Sequence, residues 1–181
     1  MASIIKANEL QDFGGNSIIT SDGAGNVTVN AAAMKNTPAF SAYGTTPQSV
    51  SSGTFTKVVF DAEDYDTDNA YDNATNYRFT VPSGAAGKYW CYATVRADGT
   101  ASTFNYMILS FYKNGSAYPD NNRPFWRFLN NPIDDFTGTL GFTIDLNGST
   151  DYIEVFTEIE LSSGNPTLAR GCSFGAYKLI T

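Results

Sequence analysis

Histidine is absent from this 181-residue chain, charged residues are scarce, and there are only two cysteines. Without histidine, the commonest general acid–base group and metal ligand are missing, so Ser-His-Asp and Cys-His centres and histidine zinc sites are excluded. Charged residues make up 16% of the chain, against about 25% in a typical soluble domain. The 18 acidic and 11 basic residues give a net charge of −7. Because phosphate backbones attract basic surfaces, we expect no nucleic-acid partner.

Long apolar runs are missing as well. No stretch approaches the roughly 18 apolar residues that cross a bilayer, so we expect no membrane insertion. The N-terminal sequence MASIIKANELQDFGG lacks the charged-then-apolar pattern of a signal peptide. This favours synthesis in a reducing compartment, where Cys91 and Cys172 are most simply interpreted as small buried side chains. One disulfide between them is the alternative.

Aromatic residues divide the chain into two parts. Phe13 is the only aromatic residue in residues 1–38, and the other 25 lie in residues 39–181. The first segment therefore has too little apolar surface for a core of its own, and we treat it as an N-terminal anchor or oligomerisation leader. Residues 39–181 are predicted to form one domain.

The leader contains a hairpin pattern. Ile18 and Ile19 precede the turn residues Asp22-Gly23-Ala24-Gly25-Asn26, and Val27 and Val29 alternate after them. This spacing predicts two short antiparallel strands. Since an isolated hairpin is marginal in water, we expect the leader to pack on its own domain, on identical chains or on a larger assembly. A disordered leader is the alternative.

Period-two alternation of apolar and polar residues dominates the second part of the chain. It is clear in TNYRFTVP (75–82), GFTIDL (141–146) and DYIEVFTEIEL (151–161). Each segment is bounded by Gly, Pro, Asn or Asp. The pattern predicts an all-β fold, an antiparallel sandwich of about ten short strands behind a short extended leader.

Two segments, GKYWCYATV (87–95) and NYMILSFYKNG (105–115), are apolar on both faces. A sandwich strand needs only one apolar face, so the second face must be covered. Tyrosine and tryptophan suit interfaces because they bury area and keep a polar group. We predict a subunit interface at these second faces, and an additional internal layer is the alternative. The interface residues are Trp90, Tyr92, Tyr106, Ile108 and Tyr112.

Seven motifs in order carry a resemblance to a known family. They are PAFSAY (38–43), KVVFD (57–61), YDNATNYRFTVP (71–82), GKYWCY (87–92), FYKNGS (111–116), LNGSTDYIEV (146–155) and SFGAYKLI (173–180). Their order resembles the globular head domain of complement component one-q, a tumour-necrosis-factor-like jelly roll. The longer SGAAG loop, Cys91 in place of an aromatic residue and the separated Gly and Asp of NGSTD depart from the family pattern. The resemblance implies a ten-stranded jelly roll, a homotrimer around a threefold axis and ligand binding on exposed loops.

The leader has no Gly-X-Y period and no heptads, which excludes a collagen or coiled-coil stalk. Its short length and its Gly, Asn, Thr and Val content, without a signal peptide, are similar to those of the N-terminal anchors of bacteriophage fibre and capsid-decoration proteins. This likeness implies that residues 1–38 dock to other virion proteins.

The acidic stretch DAEDYDTDNAYD (61–72) is a candidate calcium site. Asp64, Asp66 and Asp68 stand at every second position, as oxygen ligands do at the start of an EF-hand loop. Asn69 replaces the expected glycine and Thr75 the expected glutamate, so an EF-hand is excluded and a different Ca²⁺ loop is left. A solvated acidic loop is the alternative.

Two further loops are candidate sites. Asp134 and Asp135 form an acidic pair, and the resemblance implies a cation bound there at the threefold axis. An exposed turn is the alternative. In DNNRPFWRFLNNP (120–132), cations and aromatic rings alternate, which favours stacking on sugar rings or a protein interface. The alternative is that these rings enter the core and the trimer interface. The proposed ligand-binding residues are Arg123, Phe125, Trp126 and Arg127.

The carboxylates Glu154, Glu158 and Glu160 would suit glycoside hydrolysis by an enzyme carried on a fibre. A solvated outer strand face explains them without chemistry, so we expect no enzyme and no cofactor other than Ca²⁺.

We predict a trimeric virion protein, namely a phage tail fibre, head fibre, knob or capsid decoration. Its leader docks to the particle, and its knob binds a host-surface glycan or protein, or stabilises the particle. The alternative is a soluble complement-like or lectin-like recognition module.

Overall fold

The computed structural model describes residues 7–31, 34–99, 104–120, 123–128 and 133–180. Within these residues the chain is all-β, with seventeen strands and no α-helix, as the alternation predicts. In that part of the chain, no helix is long and apolar enough to cross a membrane.

The leader forms a small sheet of its own. Strands β1 (Glu9–Gln11), β2 (Ser17–Ser21) and β3 (Val27–Val29) pair antiparallel in the order β1-β2-β3. Ser21 lies opposite Val27 and Ile19 opposite Val29, which confirms the predicted hairpin. Asp22 closes the turn by accepting hydrogen bonds from the backbone N–H groups of Ala24 and Asn26.

The other fourteen strands form two antiparallel seven-stranded sheets. The first contains β4 (Ala39–Tyr43), β5 (Gln48–Ser49), β7 (Ala62–Asp66), β10 (Gly87–Asp98), β14 (Asp135–Leu146), β16 (Thr167–Leu168) and β17 (Ser173–Lys178). The second contains β6 (Thr56–Lys57), β8 (Tyr71–Asp72), β9 (Arg78–Thr80), β11 (Phe104–Lys113), β12 (Ser116–Tyr118), β13 (Phe125–Arg127) and β15 (Tyr152–Leu161).

The strand count exceeds the predicted ten because four of the fourteen strands, β5, β6, β8 and β16, are two-residue fragments. In the first sheet, β7-β4-β17-β10-β14 is a continuous series of neighbours. In the second, β11 pairs with β15 on one side and with β12 and β13 on the other. Two strands, β10 and β14, have 12 residues each and are longer than the short strands expected.

Aromatic rings fill the space between the two sheets. Phe40 stacks on Tyr71 and Phe79 with ring centroids 4.9 Å apart and meets Phe174 edge-on. The hydroxyl of Tyr71 donates to the carbonyl of Phe60, so its polar atom is satisfied inside the core. This cluster ties strands of both sheets together.

Both cysteines are buried and unpaired, which confirms their interpretation as small core side chains. Burial raises the pKa of the Cys91 thiol and of the Cys172 thiol. Both thiols are therefore protonated at neutral pH and unreactive.

Candidate functional site

The outer face of the first sheet carries a row of aromatic and small residues. Tyr65 lies opposite Ser41, Ser41 opposite Gly175, Gly175 opposite Tyr92, and Tyr92 opposite Gly141. Cross-strand partners share a face, so this row runs across five strands. In the neighbouring row, Trp90 lies opposite Thr143 and Tyr177. We call the two rows together the aromatic face. Its residues are Ser41, Tyr65, Trp90, Tyr92, Gly141, Thr143, Gly175 and Tyr177.

Glycines make room for the rings of this face. A Cβ at Gly175 would lie 2.4 Å from the Tyr92 ring carbon Cζ, and one at Gly141 would lie 2.7 Å from Cζ2 of Trp90. Each ring therefore lies across the backbone of a neighbouring strand rather than standing away from the sheet. Trp90 is 37% exposed, so the surface is flat, aromatic and accessible.

On β10 and β14, which form the centre of the aromatic face, the outward charged side chains stand near the strand ends. On the edge strand β7, the carboxylate of Asp64 accepts a hydrogen bond from the Ser41 hydroxyl at 3.0 Å. Lys88 pairs with Asp145 at 2.8 Å at one end, and Arg96 pairs with Asp135 at the other. The hydrogen bonds from Arg96 lower the pKa of Asp135. Cation binding by Asp134 and Asp135 stays a prediction. Among the described residues, the two central rows carry no ionised side chain.

The outer face of the second sheet is built differently. Along β15, glutamates alternate with an aromatic ring, and β11 presents tyrosines and an isoleucine opposite them. Tyr112 and Phe156 stack with centroids 4.0 Å apart. We call this surface the carboxylate face. Its residues are Tyr106, Ile108, Tyr112, Glu154, Phe156, Glu158 and Glu160.

The five predicted interface residues are thus divided between opposite sides of the sandwich. Trp90 and Tyr92 lie on the aromatic face, whereas Tyr106, Ile108 and Tyr112 lie on the carboxylate face. They do not form one continuous surface. A trimer contact at these five residues stays a prediction, and the geometry supports it for the first two as a pair.

The three glutamates of β15 differ in their surroundings. Glu154 is 5% exposed and forms an ion pair with Lys57, which corrects the expectation that all three are solvated. The Tyr106 hydroxyl donates to Glu158 at 2.5 Å, and this bond raises the pKa of Tyr106. The amide Nδ2 of Asn105 donates to Glu160 at 3.2 Å.

The predicted ligand-binding set is also divided, because successive residues of β13 alternate between faces. Phe125 is 54% exposed and lies opposite Ile108 on the outer side, while Arg127 lies opposite Tyr106. Trp126 points inward and packs on the core. Its ring lies 2.8 Å from where a Cβ of Gly138 would stand.

Arg123 has a separate environment. Its guanidinium lies 5.3 Å from the centroid of the Phe55 ring, in a cation–π contact. Of the four predicted residues, Phe125 and Arg127 therefore share one exposed site, Arg123 borders it, and Trp126 belongs to the core.

A cavity of about 390 Å³ opens between β11 and β13. It is lined by Asn105, Tyr106, Phe125, Arg127, Phe128 and Glu160. A second cavity of about 280 Å³ is lined by Ile108, Asp120, Arg123 and Phe125. Phe125 lines both, so its ring separates two adjoining cavities on the carboxylate face.

Two solved structures share this arrangement of strands. The globular domain of zebrafish complement 1qA matches with a TM-score of 0.52 and 15% identity, covering 78% of this chain and 96% of that one. The crystal structure of murine APRIL at pH 5.0 matches with a TM-score of 0.52 and 14% identity, covering 78% and 98%. The fold is a C1q/TNF-like jelly roll. No protein-family model and no curated protein sequence matches the chain.

The acidic stretch at the edge of the jelly roll does not converge on one point. Asp66 accepts hydrogen bonds from the backbone N–H groups of Asp68 and Tyr71 at 3.2 and 2.7 Å, and Asp64 accepts one from the Ser41 hydroxyl. Within the described ranges, no three acidic or cysteine residues are placed to hold a metal ion together. Calcium binding by Asp64, Asp66 and Asp68 stays a prediction.

Three residues from outside the 120–132 loop complete the exposed site of the jelly roll. Asn105, which was not singled out from the sequence, lines the cavity beside Phe125 with Tyr106 and Glu160, which were assigned to an interface and to a carboxylate group. The register of β11 against β13 and β15 is the only signal that brings them together.

Proposed function

We propose that this chain is a non-catalytic binding protein that assembles as a homotrimer through its aromatic face. The observation that carries the proposal is the distribution of charge on that face. Its centre consists of uncharged aromatic and small residues, and ion pairs stand at both ends. Interface centres are depleted in charged residues and enriched in tyrosine and tryptophan. A contiguous aromatic patch of this kind is typical of a surface that another chain covers.

The leader supports a second part of the proposal. Leu10, Ile19 and Val29 lie opposite one another across the three strands and therefore share one face. Leu10 is 56% exposed, and no side chain of residues 7–31 is buried. Among the described residues, the hydrogen bonds of residues 8–30 all stay within that range.

The apolar face formed by Leu10, Ile19 and Val29 is uncovered in the described residues and could be buried by another chain. We therefore propose that residues 1–38 attach the trimer to a virus particle, as a fibre, knob or capsid decoration, and that the jelly roll is exposed on the virion for host attachment or particle stabilisation. A soluble recognition module is the second candidate. The exposed cavity beside Phe125 favours it, because that site needs no particle to operate.

Light scattering on the full chain tests the trimer. The expected mass is three times the 19.6 kDa of one chain. Tyr92→Lys places a charge at the centre of the aromatic face and should give a folded monomer, because a buried unpaired cation opposes association. Ile108→Lys, on the carboxylate face, is the matched control and should stay trimeric. A monomeric wild-type chain, or a trimer that Ile108→Lys dissociates, would refute the proposed interface.

Electron microscopy separates the two candidate roles. Antibody against the chain should label appendages on particles from the parent source if the protein is a virion component. Label confined to the particle-free fraction would exclude the virion role and favour the soluble recognition module.

A further inference from the structure

We propose that the cavity beside Phe125 binds a neutral saccharide, with a sugar ring stacked on Phe125 and its hydroxyl groups bound by Glu160, Asn105 and Arg127. This inference rests on the proposed binding function and names its ligand class. It does not depend on the trimer, because the site lies on the carboxylate face and within one chain.

The stacking platform comes first. Phe125 is 54% exposed although it is a large apolar side chain. Its ring centroid lies 5.6 Å from that of Tyr106, with the planes tilted by 49°. The two rings form a corner rather than a closed stack, so one face of Phe125 is available. The C–H face of a pyranose is apolar and flat, and it packs on such a ring.

The polar groups beside the ring are already oriented. Asn105 donates to Oε1 of Glu160 at 3.2 Å, and the Tyr106 hydroxyl donates to Oε1 of Glu158 at 2.5 Å. A carboxylate accepts more than one hydrogen bond, so Glu160 retains acceptor capacity for ligand hydroxyls, while Glu158 holds the Tyr106 hydroxyl beside the cavity. In the described part of the chain, neither Glu158 nor Glu160 forms an ion pair.

Charge selects the ligand class. Arg127 lines the same cavity as Glu160, so a cationic ligand meets the guanidinium and an anionic ligand meets the carboxylates. A ligand with many hydroxyl groups and no net charge satisfies both, since hydroxyls donate to carboxylates and accept from guanidinium groups. Neutral sugars combine this chemistry with an apolar face.

The combined size of the two adjoining cavities indicates a ligand with more than one sugar residue. Ligand cavities usually have volumes of about 300–1,000 Å³, and this one is about 390 Å³. The adjoining cavity of about 280 Å³ is reached past the other side of Phe125. A disaccharide or longer neutral chain can therefore follow the surface past Phe125 and reach Arg123.

The test uses an immobilised panel of neutral disaccharides and oligosaccharides of glucose, galactose, mannose and N-acetylglucosamine. Glucosamine and glucuronic acid oligomers are the charged arms. Full-length protein should bind one or more neutral members, and titration calorimetry then gives the affinity. We expect Phe125→Ala and Glu160→Gln each to weaken it by about tenfold or more, because each removes a main contact.

Phe13→Ala is the matched control, since Phe13 is also an exposed phenylalanine but lies in the leader. It should leave the affinity unchanged, and circular dichroism should show all variants folded. The proposal is overturned if no neutral sugar binds, if only charged sugars bind, or if Phe125→Ala binds as well as the wild type. Light scattering on the same samples reports the trimer separately, so that failure of one proposal is distinguishable from failure of the other.

Discussion

Along β10 and β14, the central strands of the aromatic face, ionised side chains stand near the strand ends, whereas on the carboxylate face they alternate with aromatic rings along a single strand. Lys88–Asp145 and Arg96–Asp135 bracket the first surface and leave its centre neutral. On the second, Glu158 and Glu160 stand beside Tyr106 and are held by hydrogen bonds. Both surfaces come from strands with the same period-two pattern.

This difference teaches how one kind of strand supports two kinds of contact. A neutral aromatic centre is desolvated at little cost and suits a broad protein interface. Carboxylates beside an exposed ring are costly to bury under a flat protein surface but suit a small ligand with hydroxyl groups. The register between strands, rather than the composition of any one strand, determines which surface forms.

Removing Lys57, the half-buried cation that pairs with the buried Glu154, should cause the largest loss of stability. Lys57→Ala leaves the carboxylate of Glu154, which is 5% exposed, without its ion-pair partner. We expect the free energy of unfolding to fall by roughly 3 kcal/mol, the lower end of the loss for a buried pair, because the Lys57 side chain is 33% exposed. Urea denaturation at neutral pH measures the loss.

Lys88→Ala is the control on the other side of the sandwich, because the Lys88–Asp145 pair is exposed. It should leave the free energy of unfolding nearly unchanged, because an exposed ion pair contributes little to stability. Equal losses for the two lysine variants would show that the two faces do not differ in how they hold charge.

A methyl group at the centre of the aromatic face should have an intermediate effect. In Gly175→Ala, the new Cβ would lie 2.4 Å from Cζ of Tyr92 and 2.9 Å from the carbonyl oxygen of Phe40. Since the ring must move and the backbone cannot, we expect a loss of about 1–3 kcal/mol in the free energy of unfolding. Thermal denaturation checks this, with Ser173→Ala on the same strand as control. An unchanged melting temperature would contradict the close packing of Tyr92 on Gly175.

The Arg96–Asp135 ion pair at one end of the aromatic face should contribute least to the stability of the fold. Asp135→Asn should reduce the free energy of unfolding by less than about 1 kcal/mol at neutral pH, because the pair is partly solvated. Arg96 lowers the pKa of Asp135 in the folded protein. The pair therefore stabilises the fold above the ordinary carboxyl pKa, and its contribution disappears as the pH falls through the lowered value.

Denaturation of wild type and Asp135→Asn over a series of pH values tests this sign. The two stability curves should converge in acid. A difference that grows as the pH falls would contradict the role assigned to Arg96.

Much of the fold follows from local pattern. Alternation predicts the main strands, the Asp22–Asn26 turn predicts the leader hairpin, and seven ordered motifs predict the jelly roll that the solved structures confirm. Strand β1 (Glu9–Gln11) was not predicted, because its residues have low β propensity and it forms by pairing with β2. Local pattern is thus sufficient to predict a strand whose own residues alternate between apolar and polar.

The sites depend on contacts that no single segment reveals. Alternation tells on which side of a strand Tyr92 or Ile108 lies, but not to which of two sheets the strand belongs. Trp126 turns into the core because Gly138 on a distant strand leaves space for its ring. Glu154 is buried because Lys57, nearly a hundred positions away, covers it.

The rings that lie across glycines also have an evolutionary consequence. Tyr92 occupies the volume that a side chain at position 175 would need, and Trp90 does the same at position 141. Neither member of such a pair is free to change alone without a collision or a hole. Related chains are therefore expected to vary these positions together, so that a larger residue at 175 accompanies a smaller one at 92. The shape of the contact surface then depends on pairs of positions rather than on single residues.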